Sequence, residues 1–344
     1  MRGRVLVVAI ASIVASGCPP QSAPLHPSQP PSDGDGDGET AAAPAARAPD
    51  AQGGGEGTVA AAGLSSSQTG KVVDQISDFV FDGGRIDFEM RQVGGHVVQI
   101  ARNRYAVPIV MQWQTTALVN LSATGPKEGV AVLPAATGPN GESRAVELVA
   151  FEIGDARAPY RRELTFHARF GDPNARPQPY IYGLPYPKKQ SYAVLQGFHG
   201  AFSHRGSNEF AIDFDCPVAT TVVAARPGVV VVTNASAQGS GITPEYLDFH
   251  RVNFVLVLHD DGTLGEYMHL SPSGVIVQAG QRVARGQPLA LSGNTGFSST
   301  PHLHFQVMTA ADDGIAARSF PFELATAPRR VEEPVQGRSY SAWE

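Results

Sequence analysis

The chain has 344 residues, a length typical of about two domains. It carries 26 lysines and arginines against 32 aspartates and glutamates, which gives a formal net charge of −6 at pH 7. Sequence-independent binding to nucleic acid needs a basic surface that displaces counterions, so this balance argues against such a function. The hydrophobic content of 42% is sufficient for a sizeable core.

The N-terminus has the pattern of a secretory signal. A short basic start precedes the apolar run Val5 to Val14, which as a helix would rise only ~15 Å, about half a bilayer core. Small residues follow, so residues 1–17 are predicted to be a signal peptide. Cys18 comes after Ala-Ser-Gly and resembles the cysteine of a bacterial lipobox, although Ala15 replaces the usual leucine. Lipidation of Cys18 would anchor the exported protein in the cell envelope, with the outer membrane facing the periplasm as the expected place.

Residues 18–71 are predicted to be a disordered tether. Proline, glycine and alanine dominate residues 19–60, which contain no aromatic residue and carry a net charge of −5. Such a composition cannot bury enough surface to offset the entropy lost on ordering. As a flexible coil this segment would span ~35–40 Å. With Cys18 lipidated, Cys216 has no partner, and no intramolecular disulfide is predicted.

Residues 72–178 are predicted to form a β-sandwich-like domain. Apolar and polar residues alternate in Ile86 to Met90, Ala145 to Ile153 and Leu164 to Phe170, which is the pattern of half-buried strands. Gly138-Pro-Asn-Gly141 lies between two such runs and predicts a hairpin turn.

The remaining segments have simpler predictions. The proline-rich residues 179–194 are expected to connect two domains, and residues 326–344 are expected to be a C-terminal tail. Thr221 to Val232 is predicted to be one buried strand. His250 and His259 are expected at the surface or in turns.

Residues with metal-binding and catalytic chemistry cluster in the C-terminal half. His302 and His304 are two residues apart in a strand-like run, so their imidazoles are predicted to lie on the same face. His269 ends another strand pattern. Asp213 lies between two apolar residues, where an unpaired carboxylate is costly, so a metal or a cation is expected beside it. A carboxylate that caps a turn is the alternative, and His204 lies upstream as a further candidate ligand.

Taken together, residues 195–325 resemble the catalytic domain of lysostaphin-like (LytM-type) zinc metallopeptidases, which cut peptide bonds in bacterial peptidoglycan. The matching segments are Ser203-His204, Ala211-Ile-Asp213-Phe, Val222 to Val230, Tyr267-Met-His269-Leu, Val277 to Gln287, Ser292 to Gly296 and His302-Leu-His304-Phe. The resemblance implies an all-β protein whose second domain is an antiparallel β-sheet or barrel similar to the lipoyl/biotinyl hybrid barrel.

The resemblance also implies the roles of individual residues. One zinc ion (Zn2+) would be held by His204, Asp213 and His304. His269 and His302 would then act as catalytic residues, one taking a proton from the attacking water and the other stabilising the oxyanion or protonating the leaving amine.

Three residues are candidates for the first metal ligand. In the family a histidine usually lies four residues before the aspartate, a position that Glu209 occupies here. His204 lies nine residues before Asp213, and its Ser-His context resembles one branch of the family. His204 is the preferred ligand, with Glu209 and His199 as alternatives.

The function that this resemblance implies is zinc-dependent hydrolysis of peptide cross-links in peptidoglycan. The expected partners are the peptide stems of peptidoglycan, the membrane through the lipidated N-terminus, and cell-wall amidases or division proteins. A non-catalytic LytM-type module that activates cell-wall amidases is the alternative. A lipoyl or biotin carrier has similarly spaced glycines but needs an exposed lysine at a hairpin tip. The last lysines of the chain are Lys188 and Lys189, before the barrel-like segment, so a carrier is excluded.

Overall fold

The computed structural model describes residues 9–12, 71–78, 86–93, 95–137 and 143–343. Cys18, the predicted tether up to residue 70 and the turn predicted at Gly138 to Gly141 lie outside the described residues. Ala9–Ser12 forms a strand inside the predicted export signal, so cleavage after residue 17 would remove this strand. Within the described ranges, no helix is long and apolar enough to span a membrane.

The first domain is a sandwich of two β-sheets, which confirms the prediction from the alternating sequence pattern. Its described strands are β1 (Ala9–Ser12), β2 (Lys71–Asp78), β3 (Ile86–Val93), β4 (His96–Asn103), β5 (Ile109–Val119), β6 (Leu121–Ala123), β7 (Glu128–Leu133), β8 (Val146–Ile153) and β9 (Arg161–Phe170). One sheet has the order β2-β3-β4-β8-β6 and the other β1-β9-β5-β7. These strands pair in the antiparallel sense, except that β1 is parallel to β9.

Apolar side chains from both sheets form one core in this sandwich. The rings of Phe88 in β3 and Phe166 in β9 join the two sheets, with their centroids 4.9 Å apart. In β9 every second residue from Arg162 to Ala168 is buried, as expected for a strand with one covered face. The alternating pattern did not predict β5, whose first three residues are all buried.

The second domain is also built from strands. Those described are β10 (Ile181–Tyr182), β11 (Ser191–Gln196), β12 (Ile212–Phe214), β13 (Thr221–Val223), β14 (Gly228–Asn234), β15 (Ser240–Gly241), β16 (Phe254–Leu258), β17 (Leu264–Met268), β18 (Leu270–Val275), β19 (Arg282–Val283), β20 (Pro288–Ser292), β21 (Gly296–Phe297), β22 (Leu303–Ala310), β23 (Ala317–Phe320), β24 (Glu323–Ala327), β25 (Arg330–Glu332) and β26 (Ser339–Ser341). Short 3-10 helices lie at Gly206–Asn208, Pro244–Leu247 and Phe249–Arg251.

A long antiparallel sheet organises this domain. Its order is β19-β14-β16-β17-β22-β12-β11-β26, and β23 also pairs with β22. Three smaller sheets have the orders β13-β20-β18, β10-β24-β25 and β15-β21. The centre of the long sheet, β17-β22-β12, carries or adjoins most of the candidate site residues.

Both faces of the long sheet are covered. In β16, Phe254 and Leu256 belong to the apolar core shared with the first domain, whereas Val255 and Val257 belong to the core of the second domain itself. All eight residues of β22 are buried for the same reason. A strand covered on both faces has a nearly continuous apolar sequence, which explains why alternation is weak here.

The two domains approach each other closely around residue 314. Gly314 has a φ of +71°, and a Cβ at this position would lie 2.6 Å from the backbone nitrogen of Gln112. Arg169 of β9 donates from Nε to the carbonyl oxygen of Ile315 at 2.6 Å. Burial lowers the pKa of Arg169 to about 10, against the opposing effect of the Glu266 carboxylate, so the guanidinium remains charged at neutral pH. The first domain therefore places a buried cation against the second.

The folded second domain extends beyond the predicted range of 195–325. β11, which belongs mostly to the predicted connector, pairs with both β12 and β26. Tyr340, in the segment predicted to be a tail, is 3% exposed, and its carbonyl oxygen accepts a hydrogen bond from the Tyr186 hydroxyl at 2.8 Å. These contacts satisfy backbone groups along β11 that a bare sheet edge would leave unpaired.

The segment Thr221 to Val232 forms two strands instead of the single strand that was predicted. β13 ends at Val223 and β14 begins at Gly228, with Arg226 and a proline in the turn between them. Arg226 donates from Nη1 to the Asp261 carboxylate at 2.7 Å and to the Tyr182 hydroxyl at 3.0 Å. The turn is therefore held by an ion pair that the apolar pattern alone did not reveal.

His259 opens the hairpin turn, as one of the two expectations had it, but its side chain is buried and not at the surface. Its side chain lies under the hairpin at 3% exposure, and Nδ1 donates to the carbonyl oxygen of Pro227 at 2.9 Å. Gly265 makes room for the ring, because a Cβ there would lie 2.9 Å from Nε2 of His259. Burial lowers the pKa of His259 to about 4.

This buried imidazole predicts a pH-dependent contribution to stability. The unfolded chain takes up the proton near pH 6.5 but the folded chain only near pH 4, so the stabilisation is complete above pH 6.5 and is lost as the pH falls toward 4. The loss amounts to roughly 3 kcal/mol in the free energy of unfolding. His259→Asn, which keeps a donor for Pro227, should flatten the profile between pH 7 and 4, as measured by urea unfolding at each pH. The exposed His96→Asn serves as the control, and parallel profiles for all three proteins would contradict the prediction.

Candidate metal centre

The pairing of β12 with β22 brings the first two candidate ligands together. Asp213 lies directly opposite His304 in the antiparallel register. Directly opposed residues of two paired strands project from the same face of the sheet, so the carboxylate and the imidazole meet. Nδ1 of His304 lies 2.9 Å from Oδ1 of Asp213.

His204 is supplied by the loop between β11 and β12. Its backbone nitrogen donates to the carbonyl oxygen of Gly200 at 3.1 Å, which closes a tight turn. Nδ1 of His204 lies 2.8 Å from the carbonyl oxygen of Gly197. A carbonyl oxygen only accepts hydrogen bonds, so Nδ1 carries the proton and Nε2 presents its lone pair. That Nε2 lies 3.1 Å from Oδ2 of Asp213.

These three side chains fit a metal ion. One candidate ligand atom from each of His204, Asp213 and His304 lies within 4.8 Å of the other two. Tetrahedral zinc with bonds of 2.0–2.1 Å would separate its ligand atoms by roughly 3.4 Å, which is close to the present contacts. The side chains are buried, and Nε2 of His204 has no hydrogen-bond partner. A cation at the centre would satisfy this atom and the carboxylate together.

The electrostatics of the cluster favour a charged carboxylate. Burial raises the pKa of Asp213, but the neighbouring His204 and His302 and the hydrogen bond from His304 outweigh it and hold the pKa well below its ordinary value. Burial lowers the pKa of His204, yet the Asp213 carboxylate outweighs this effect and raises it. Asp213 is therefore ionised at neutral pH, as a metal ligand must be.

Two further histidines lie beside this cluster. The ring centroids of His269 and His302 are 4.5 Å apart, and Nε2 of His302 lies 3.7 Å from Oδ1 of Asp213. Nδ1 of His269 donates to the carbonyl oxygen of Thr295 at 2.8 Å, and Nδ1 of His302 donates to that of Thr300 at 2.8 Å. In their neutral forms both imidazoles therefore carry the proton on Nδ1 and leave Nε2 as an acceptor.

Backbone geometry holds these two imidazoles in place. His269 follows β17 with a φ of +62°, a left-handed conformation that is uncommon for a residue other than glycine. Gly293 forms an isolated antiparallel bridge with His302, and a Cβ at Gly293 would lie 2.5 Å from the backbone nitrogen of Ser271. Burial, followed by the nearby His302 and His304, lowers the pKa of His269 well below its ordinary value.

The structure separates the alternative first ligands from this cluster. His199 and Glu209 are exposed, and they face each other with Nδ1 of His199 3.3 Å from Oε1 of Glu209. Of the three candidates, His204 is the one that joins Asp213 and His304. The four-residue spacing to Asp213 does not bring Glu209 to the site, because Glu209 ends the 3-10 helix Gly206–Asn208 with its side chain exposed and facing His199.

One residue with a role in the site was not predicted from the sequence. Gln196 of β11 is 5% exposed and lies opposite Asp213 in the sheet. Its amide nitrogen donates to Oδ2 of Asp213 at 3.1 Å. The signal in the sequence is a polar residue at the end of an otherwise apolar strand, directly before a glycine, but this signal needs the β11–β12 pairing to become specific.

Residues 207–315 match the sequence model of Peptidase family M23. The chain carries a domain of peptidase family M23. The matched range contains Asp213, His269, His302 and His304, and it begins three residues after His204. The position of His204 in the site therefore follows from the geometry and not from the family match.

The M23 domain is similar to several known proteins. It is 31% identical over 127 residues to Peptidoglycan DD-endopeptidase ShyA of Vibrio cholerae serotype O1, covering 36% of this chain and 26% of ShyA. It is 38% identical over 105 residues to Glycyl-glycine endopeptidase ALE-1 of Staphylococcus capitis, covering 30% of this chain and 25% of that protein. The matched segment thus spans about a quarter of the length of either curated relative.

A solved structure is also similar to this chain. The catalytic domain of lysostaphin from Staphylococcus simulans is 32% identical, with a TM-score of 0.26, over 42% of this chain and 89% of the lysostaphin domain.

Substitution of the candidate ligands should separate His204 from its alternatives. His204→Ala removes one of three candidate ligands and is expected to weaken zinc binding by more than about 100-fold, above the range typical for residues that only support a ligand. Glu209→Gln and His199→Gln alter exposed side chains outside the cluster and should bind zinc as the wild type does. Chelator competition measures the affinities. Equal zinc affinity in wild type and His204→Ala would contradict the assignment.

Proposed function

We propose that this protein is a zinc-dependent endopeptidase that hydrolyses the peptide cross-links of bacterial peptidoglycan. The observation that carries the proposal is a buried set of His204, Asp213 and His304 beside two further imidazoles in an M23 domain. The similarity to Peptidoglycan DD-endopeptidase ShyA supports the substrate class. A carboxylate and lone-pair nitrogens, all of them electron-pair donors, converge there as metal-assisted hydrolysis requires.

The residues of the chain would divide the work between binding and proton transfer. His204, Asp213 and His304 would hold the zinc ion. The chemistry that zinc supplies in such a site is the acidification of water and the polarisation of a carbonyl group. Nδ1 of His269 donates to the Thr295 carbonyl oxygen, so Nε2 of the neutral ring would accept a proton from the attacking water.

His302 would complete the proton transfer. Its Nδ1–H is held by the Thr300 carbonyl oxygen, which aims Nε2 toward the Asp213 side of the site. The proton that His269 takes from the water would pass to Nε2 of His302, whose ring centroid lies 4.5 Å away, and from there to the leaving amine. While protonated, His302 would stabilise the oxyanion.

A non-catalytic LytM-type module that activates cell-wall amidases is the second candidate function. Such a module needs neither the metal ligands nor the auxiliary imidazoles. Here all five side chains are present, and each of them lies close to at least one of the others, which favours the enzyme. Zinc binding combined with bond cleavage distinguishes the two functions.

We further propose that the protein is exported and anchored to a membrane through lipid on Cys18. The proposal is supported by the basic and apolar pattern of residues 1–17 and by the lipobox-like Ala-Ser-Gly-Cys. The tether of residues 18–71 would let the folded domains reach the cell wall from the anchor.

A digestion of purified peptidoglycan tests the enzymatic proposal. The wild type should release new peptide amino ends, which mass spectrometry of the soluble fragments assigns to a bond. His269→Ala should retain zinc, since His269 is not a ligand, but cleave ~10²–10⁴-fold more slowly because it lacks the base. His96→Ala is the control with an exposed histidine in the first domain. Wild-type protein that carries zinc but releases no new ends would refute the endopeptidase and favour the binding module.

Fractionation of bacterial cells tests the anchor. The wild type should sediment with membranes and incorporate labelled fatty acid, whereas Cys18→Ser should do neither, because no thiol remains for lipidation. Cys216→Ser lies in the buried core and is the matched control. A wild type that is soluble and unlabelled would contradict the anchor without affecting the catalytic proposal.

A further inference from the structure

The buried side chain of Gln196 makes four hydrogen bonds at the candidate metal site. Its Oε1 accepts hydrogen bonds from the backbone nitrogens of Phe202 at 3.0 Å and Ser203 at 2.9 Å. Its Nε2 donates to Oγ of Ser203 at 2.7 Å and to Oδ2 of Asp213 at 3.1 Å. These four bonds use the full hydrogen-bonding capacity of a side-chain amide.

The four bonds connect two different parts of the candidate metal site. Phe202 and Ser203 directly precede His204, so two bonds to their backbone nitrogens determine where this ligand stands. The bond to Asp213 reaches the neighbouring strand, where Gln196 and Asp213 lie opposite each other in the sheet. One side chain therefore spans the loop ligand and the strand ligand.

The loop is shaped to close over this amide. A Cβ at Gly200 would lie 2.1 Å from Cγ and 2.7 Å from Cδ of Gln196, so a side chain at that position would displace Gln196. The backbone nitrogen of His204 donates to the carbonyl oxygen of the same Gly200. Gly200 thus allows the loop to pack directly on Gln196 while it forms the turn that presents His204.

The amide of Gln196 also restrains the orientation of the Asp213 carboxylate between His204 and His304. Oδ2 of Asp213 accepts from Gln196 and lies 3.1 Å from Nε2 of His204, whereas Oδ1 lies 2.9 Å from Nδ1 of His304. A donor on one oxygen restrains rotation of the carboxylate, so each oxygen keeps its own imidazole partner. Groups that orient metal ligands in this way are worth 10–100-fold in metal affinity.

We propose that Gln196 is a positioning residue that sets the separation of His204 and Asp213 and thereby tunes the affinity of the site for zinc. The inference rests on the proposed zinc site. A purely structural role is the competing explanation, in which the amide only ties the loop down. The two explanations make different predictions. A purely structural role affects only the stability of the metal-free protein, whereas a positioning role also affects the affinity of the folded protein for metal.

The experiment measures zinc affinity and metal-free stability in full-length variants. Gln196→Met has an unbranched side chain of similar length and removes all four bonds. Ser203→Ala removes only the Oγ acceptor and leaves the bond from Gln196 to Asp213. Gln278→Met makes the same chemical change at an exposed position and is the matched control. Zinc dissociation constants come from chelator competition at a temperature where circular dichroism shows every variant folded.

Gln196→Met is expected to bind zinc 10–100-fold more weakly than the wild type, and Ser203→Ala only a few-fold more weakly. The visible spectrum of the cobalt-substituted protein should change for Gln196→Met, because it reports ligand geometry, and stay unchanged for Gln278→Met. Zinc affinity within twofold of wild type and an unchanged cobalt spectrum would overturn the inference, even if the melting temperature falls. If Gln196→Met does not fold, Gln196→Asn replaces it, because its amide is one methylene too short to reach both Asp213 and the loop, and wild-type affinity and spectrum of that variant overturn the inference. A wild type that binds no zinc refutes the proposed function itself, which is a different outcome.

Discussion

The site depends on the antiparallel pairing of β12 with β22. This pairing sets Asp213 opposite His304, and a slip of one residue would turn one of the two side chains to the other face of the sheet. The register is secured because both faces of β22 are buried, so a slip would also move apolar side chains out of two cores. The geometry of the candidate ligands is thus a consequence of how the long sheet packs.

Backbone carbonyl oxygens then determine the chemistry of the imidazoles. Three histidines of the candidate site donate from Nδ1 to carbonyl oxygens in loops: His204 to Gly197, His269 to Thr295 and His302 to Thr300. Because a carbonyl cannot donate, each contact leaves Nε2 as the acceptor in the neutral ring. The loops are therefore as important as the strands, since they decide which nitrogen atoms are available for a metal or a proton.

Much of the site could be predicted from the sequence, because its pieces are local. Two histidines two residues apart in a strand share a face wherever the strand lies, and the sheet places both His302 and His304 next to Asp213. The all-β fold is likewise visible in alternating runs. Strands such as β5, and the break between β13 and β14, were missed because burial on both sides and an ion pair at Arg226 override alternation.

The sequence by itself determined the all-β class, the order of the chemical motifs and the residue types that could bind a metal, since these follow from composition and short-range periodicity. Only the tertiary structure decided which of His204, Glu209 and His199 joins Asp213, because a loop can bring a residue nine positions away closer than one four positions away. It also decided the burial of His259 and the role of Gln196. These properties depend on contacts between segments that are distant in the chain, and spacing along the sequence does not measure distance in space.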